Sequence, residues 1–131
     1  FEKNEFWLVP YAAYCVLRDK FGTCDYRQWD EFAHFDKQKI YEISSPEHEM
    51  YQEIALQYFI QFHLHLQLKN ATAYAHERGI ILKGDIPIGV NRNSVDTWSS
   101  PELFNMNMQA DAPTGMCAVR GQHWELRTYN W

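Results

Sequence analysis

From Glu47 to Arg78 the chain carries neither glycine nor proline. Tyr51, Ile54, Ala55, Tyr58, Phe62 and Leu66 recur at spacings of three and four, which is the period of one helix face. The pattern predicts a single helix over 47–78, about 30 residues and roughly 45 Å long at 1.5 Å per residue. Gly79 stops it, and Ile80, Ile81 and Leu82 follow at once as a short apolar strand, expected over 80–85. Helix, glycine, buried strand is the αβ step of a parallel α/β fold. That step puts Asp85 at the carboxyl end of a strand.

A helix of this length calls for a scaffold larger than 131 residues. A complete (β/α)8 barrel, whose active site lies at the carboxyl ends of its strands, takes about 250. The sequence opens on Phe1 rather than Met and stops at Trp131 inside an aromatic, polar stretch. We therefore expect an internal fragment of a longer protein.

Upstream, Trp7–Lys20 reads as a helix with Pro10 in its first turn, where a missing N–H costs nothing, and with Gly22 as its stop. Asp25 is expected to cap a short amphipathic turn with Tyr26, Trp29 and Phe32, and a second short helix covers Asp36–Ile43. Ser44 with Glu47, or Ser45 with Pro46, supplies a start for the long helix. Ser99 and Glu102, flanking Pro101, predict one more short capped helix through Phe104. The remainder of 91–131 reads as one long loop, unusual in a compact domain unless it has a function. The expected division is a helical region over 1–46 and a second segment over 47–131, made of the long helix, the strand at 80–85 and the loop region 91–131.

Hydrophobic residues make up 46% of the chain and aromatics 16%, enough for a packed core. The net charge of −5 argues against a phosphate-backbone binder, which needs a basic face. No apolar run approaches the ~18 residues of a membrane span. Neither nucleic acid nor membrane is expected as a partner. Cys15, Cys24 and Cys117 form no CxxC pair and read as free buried thiols of a reducing compartment. His63 and His65 point in divergent directions on a helix. No metal-ligand spacing, P-loop, GxGxxG or GxSxG occurs, so no metal or cofactor is expected.

For Asp85 the residues leave two readings open, a carboxylate anchoring a catalytic network or a turn-capping Asp. The run Asn93-Ser94-Val95-Asp96-Thr97-Trp98 mixes amides, a carboxylate and a ring, as a sugar site does. The plainer reading places Trp98 beneath an Asx or Ser turn. Gly121-Gln122-His123-Trp124 and Tyr129-Asn130-Trp131 crowd rings and amides where loops place binding groups.

The wording Ile81-Leu82-Lys83-Gly84-Asp85-Ile86-Pro87-Ile88-Gly89-Val90 resembles the 4-α-glucanotransferases (amylomaltases, glycoside hydrolase family 77). The likeness runs from Trp7-Leu8-Val9-Pro10-Tyr11-Ala12-Ala13-Tyr14 and Tyr58–Gln67 to Asn93–Trp98, Pro101–Phe104, Gly121–Trp124 and Thr128–Trp131. Within the family it is most similar to the maltose-using subgroup, the plant cytosolic disproportionating enzymes and their bacterial relatives.

The resemblance implies an α/β fold: part of an interrupted (β/α)8 barrel, mostly helical in its first half, with one short central strand and a long active-site loop. It implies a cytoplasmic transferase acting on maltose, maltooligosaccharides and α-glucans by a retaining mechanism. The family's nucleophile Asp, acid Glu and stabilising Asp are expected downstream of Trp131, so the fragment is expected to be inactive. Asp85 matches a supporting active-site carboxylate, and Gln122 and Trp124 match the loop over the bound glucan. Asp96, from the polar run 93–98, is expected to bind substrate with them.

Pro113-Thr114-Gly115-Met116-Cys117 and Glu125-Leu126-Arg127 depart from the family's wording. At the first, Gly115 and Cys117 stand where the family has an acid and a ring. At the second, Glu125 stands for a Gly and Arg127 for a Pro. A non-catalytic glucan-binding relative and an independent helical interaction domain are the rival readings.

Overall fold

Glycine closes the long helix as the sequence predicts. The computed structural model describes residues 1–112 and 122–131, with the side chains of Ala112, Gln122 and His123 outside that description. Helix α3 spans Tyr51–Glu77. Gly79 takes φ +73°, a conformation that costs glycine little. Its N–H donates to His76 O at 3.0 Å, and Ile80 N–H donates to Ala75 O at 3.0 Å. This paired arrangement satisfies carbonyls that the helix end would otherwise orphan.

The start of α3 departs from expectation. Neither serine caps it, since Met50 occupies the cap position without a side-chain bond. The Ser44 hydroxyl instead donates to Ile40 O at 2.7 Å and finishes the preceding helix α2 (Lys37–Ile43). Asp36 caps α2, its carboxylate accepting from Gln38 N–H at 2.9 Å and Lys39 N–H at 3.3 Å. Helix α1 runs Glu5–Phe21, behind a 3-10 turn at Glu2–Asn4. Pro10 therefore lies inside the helix rather than in its first turn.

The chain divides into two compact units. The first joins 1–20 to 36–85, and the second joins 21–35 to 86–131. This division does not follow the expected boundary at residue 46. The first unit buries Leu8, Val9, Ala12, Ala13, Val16 and Leu17 of α1 with Ile40, Ile43, Met50 and Ile54. In α3 only Ile54 is fully buried. Leu56, Phe59, Phe62, Leu64 and Leu68 are all exposed. A helix that is apolar around its circumference is the pattern of one meant to be covered on most sides.

The strand expected over 80–85 is not formed. Residues 80–88 join no ladder, and Ile81 and Ile86 are 86% and 84% exposed. A strand needs a neighbour to pair with, and none of the described residues supplies one here.

In the second unit the expected long loop contains a three-stranded antiparallel sheet, ordered β1-β3-β2. Its strands are β1 (Val90–Asn91), β2 (Ala110–Ala112) and β3 (Gln122–Arg127). Two tryptophans make the core beside it. Trp29 and Trp98 are 0% and 2% exposed and meet edge to face with centroids 5.6 Å apart. Phe35 meets Trp98 at 5.0 Å in the same geometry, a favoured arrangement of ring quadrupoles. Each indole N–H finds a backbone acceptor, Trp98 at Phe32 O and Trp29 at Thr23 O, both 2.9 Å. Trp98 is thus a core residue, as the plainer reading held. The short helix after Pro101 is a 3-10 turn, Pro101–Leu103, without a side-chain cap.

Candidate functional site

A short helix presents Asp96. The capping box sits at Ser94 and Thr97 and not at Ser99 and Glu102. Thr97 N–H donates to Ser94 Oγ, and Ser94 N–H donates to Thr97 Oγ1, both at 3.3 Å. The Thr97 hydroxyl also donates to Arg92 O at 2.7 Å, and Thr97 is fully buried. This knot fixes α4 (Val95–Ser99) and leaves Asp96, in its first turn, exposed.

Trp124 lies on β3 and is 40% exposed. Gln122 pairs through its backbone with Ala112, and its side chain lies outside the described residues. Asp85 belongs to the first unit, directly after Gly84, and is exposed. The second unit therefore holds Asp96, Gln122 and Trp124 together. The departure at Pro113–Cys117 lies outside the described residues.

Three features escaped the sequence reading. Glu125 has φ +55°, which nothing in its side chain announces. Arg127 is buried, 7% exposed, and its Nη1 donates to Met108 O at 2.8 Å. Gly89 lies so close to β3 that an added Cβ would sit 2.7 Å from Arg127 O. In the first unit, a groove of about 540 Å³ opens between α1 and α3, lined by Trp7, Leu8, Phe59, Phe62 and Leu68. It is mostly apolar. Of the three cysteines, Cys15 is buried, and burial pushes its thiol above the ordinary range. Cys24 is exposed, against expectation. Cys117 lies outside the described residues. No described helix is long and apolar enough to cross a membrane.

The family model for 4-alpha-glucanotransferase, glycoside hydrolase family 77, matches residues 1–131, and the chain belongs to that family. It is 50% identical over 129 residues to the 4-alpha-glucanotransferase DPE2 of rice, Oryza sativa subsp. japonica, covering 98% of this chain and 14% of the rice protein. It is 29% identical over 129 residues to a 4-alpha-glucanotransferase of Chlamydia muridarum, covering 98% and 24%. Among solved structures it matches an amylomaltase from Streptococcus agalactiae in complex with acarbose, with a TM-score of 0.80 and 26% identity over 98% of this chain and 27% of that one. The chain thus spans between 14% and 27% of the length of these relatives.

Proposed function

We propose that this chain is part of a transferase that moves α-1,4-linked glucosyl units from maltose or maltooligosaccharides to glucan acceptors. The family match over the whole chain, with half the residues shared with the rice protein, carries this reading. In it, the chain contributes part of an interrupted (β/α)8 barrel in a cytoplasmic protein, with 1–46 as a helical insertion and 47–131 as barrel segment. Asp85 acts as a supporting carboxylate, while Asp96, Gln122 and Trp124 hold sugar. The amylomaltase match, solved with acarbose, supports an oligosaccharide as the ligand.

The reaction class sets what the rest of the parent protein supplies. In a retaining transfer one carboxylate attacks the anomeric carbon while an acid protonates the departing oxygen. A sugar hydroxyl then resolves the glycosyl-enzyme. Transfer in preference to hydrolysis needs an acceptor site that binds sugar well and keeps water out. A sugar-stacking ring such as Trp124 is the kind of group that does this.

The test is glucose release from maltose. The intact parent protein is expected to release glucose while a glucan acceptor grows, and the 131-residue chain alone is expected to release none. An intact protein that binds glucan but releases no glucose overturns the transfer reading and makes the protein a glucan binder.

A further inference from the structure

We infer that Glu125, Gly89 and Arg127 are positioning residues that set the Trp124 indole for sugar contact. The inference deepens the reading proposed above and rests on it. Between the pair Asp111↔His123 and the pair Ala110↔Leu126, β2 moves one residue while β3 moves three. Trp124 and Glu125 are therefore extra residues on β3 relative to β2. This is a β-bulge, which bends its strand and re-aims the side chains within it. The backbone turns at Glu125, whose φ of +55° lies in the left-handed region that side chains other than glycine, asparagine and aspartate rarely adopt. The outcome is an indole 40% exposed on the central strand of the sheet.

A bulge can slide or be absorbed unless the strand beyond it is pinned. Here the next two residues are held from both sides. Leu126 and Arg127 pair with Asn91 and Val90 of β1. Just before β1, Gly89 meets their backbone so closely that a Cβ would lie 2.7 Å from Arg127 O and 3.1 Å from Leu126 Cβ. On the other side the Arg127 guanidinium reaches back to Met108 O at 2.8 Å, close to the entry into β2. Asn105 adds a parallel tie, its amide donating to Thr128 Oγ1 at 3.1 Å and Tyr129 O at 2.9 Å.

The choice of arginine is informative. Arg127 is buried, yet its Nε has no acceptor among the described residues. Burying an incompletely bonded guanidinium is unfavourable, and an apolar residue would fill the site at lower cost. What arginine adds is a directional bond that fixes β3 against the approach to β2, and so fixes where the two extra residues stand.

The test uses the intact parent protein and measures maltoheptaose binding by calorimetry, with a thermal melt of every variant. Trp124→Ala is expected to weaken binding about tenfold, the scale of one aromatic contact. Arg127→Met and Glu125→Val, which places a β-branched residue at the positive φ, are expected to weaken it by a similar factor. The decisive readout is the Trp124→Ala/Arg127→Met double variant. It is expected to bind no worse than Trp124→Ala alone, because Arg127 acts through the ring.

If Arg127→Met fails to fold, Arg127→Gln, whose amide is too short to reach Met108 O, takes its place in the cycle. Additive losses, or an Arg127 variant with wild-type binding, overturn the inference. So does a wild-type protein that does not bind maltoheptaose. Binding without glucosyl transfer sinks only the transfer reading and leaves the positioning cycle to be scored.

Discussion

Helix α3 and the tryptophan core of the second unit are opposite cases of how structure is held. Helix α3 is 27 residues of regular backbone, yet it fully buries one of them, Ile54. The segments around Trp98 form only a five-residue helix, a 3-10 turn and short strands. Even so, Trp29, Thr97 and Trp98 are almost wholly buried, and each indole N–H is bonded. Regular hydrogen bonding is complete within a helix and says nothing about whether its apolar surface is satisfied. The irregular unit has no such internal ladder and must hold itself by packing and by side-chain bonds to backbone. The first region therefore depends on what covers it, and the second on its own contacts.

The sharpest way to break that contrast is Trp98→Ala in the intact protein. Removing the ring empties a site packed by Trp29 and Phe35 and leaves Phe32 O without its donor. Denaturant unfolding is expected to show a loss of about 3–5 kcal/mol. A change within about 0.5 kcal/mol, the range of a surface site, would contradict the self-contained core.

Phe62→Ala tests the other half. In this chain Phe62 is 57% exposed, so a solvated residue would cost at most about 0.5 kcal/mol. If the rest of the protein covers α3, the same unfolding measurement is expected to give a loss of about 2–4 kcal/mol. The isolated 131-residue chain should also associate in a concentration-dependent way by sedimentation, because it leaves that face and the apolar 80–88 stretch bare. A sharp two-state melt of a clean monomer would point instead to an independent helical domain.

Gly79→Ala is a smaller probe of the helix end. A Cβ there meets no neighbour but must take φ +73°, so a loss of about 1 kcal/mol is expected. No loss would mean that the turn after α3 differs in solution.

The smallest effect is one of pH. Side-chain hydrogen bonds from Arg27 hold the Asp25 carboxyl down to about 2, with contacts of 2.6 and 2.7 Å. A carboxylate whose pKa is depressed on folding stabilises above its unfolded value, near 4, and loses that stabilisation as pH falls toward 2. The pair is partly solvated, so the effect is shallow. Asp25→Asn should flatten the melting temperature between pH 4 and pH 2, roughly the span of the shift. An unchanged acid slope would remove Asp25 from the account.

The sequence was most legible where geometry is local. The period of 51–66, the breaker at Gly79, and the cap at Asp25 depend on neighbours within a few residues. The strand at 80–85 failed for a non-local reason. Its apolar run was read correctly as chemistry, but a strand also requires a partner, and none of the described residues is one. The three-stranded sheet was missed because its first two strands have two and three residues, too short to show alternation. The bulge then interrupts the third. Of the candidate site, the residue types at Asp96, Gln122 and Trp124 were readable as sugar-binding chemistry. The backbone around Trp124 was not readable: Glu125 is an ordinary residue in an uncommon backbone state, and the burial of Arg127 is invisible in its residue type.

The most direct test of the account supplies the intact protein with maltose labelled in its non-reducing glucosyl unit, plus unlabelled maltoheptaose, and follows label and free glucose together. The account predicts label in glucans one unit longer than maltoheptaose, joined by an α-1,4 bond, with one unlabelled glucose released per transfer. Label recovered only as free glucose, or left entirely in maltose, would contradict it.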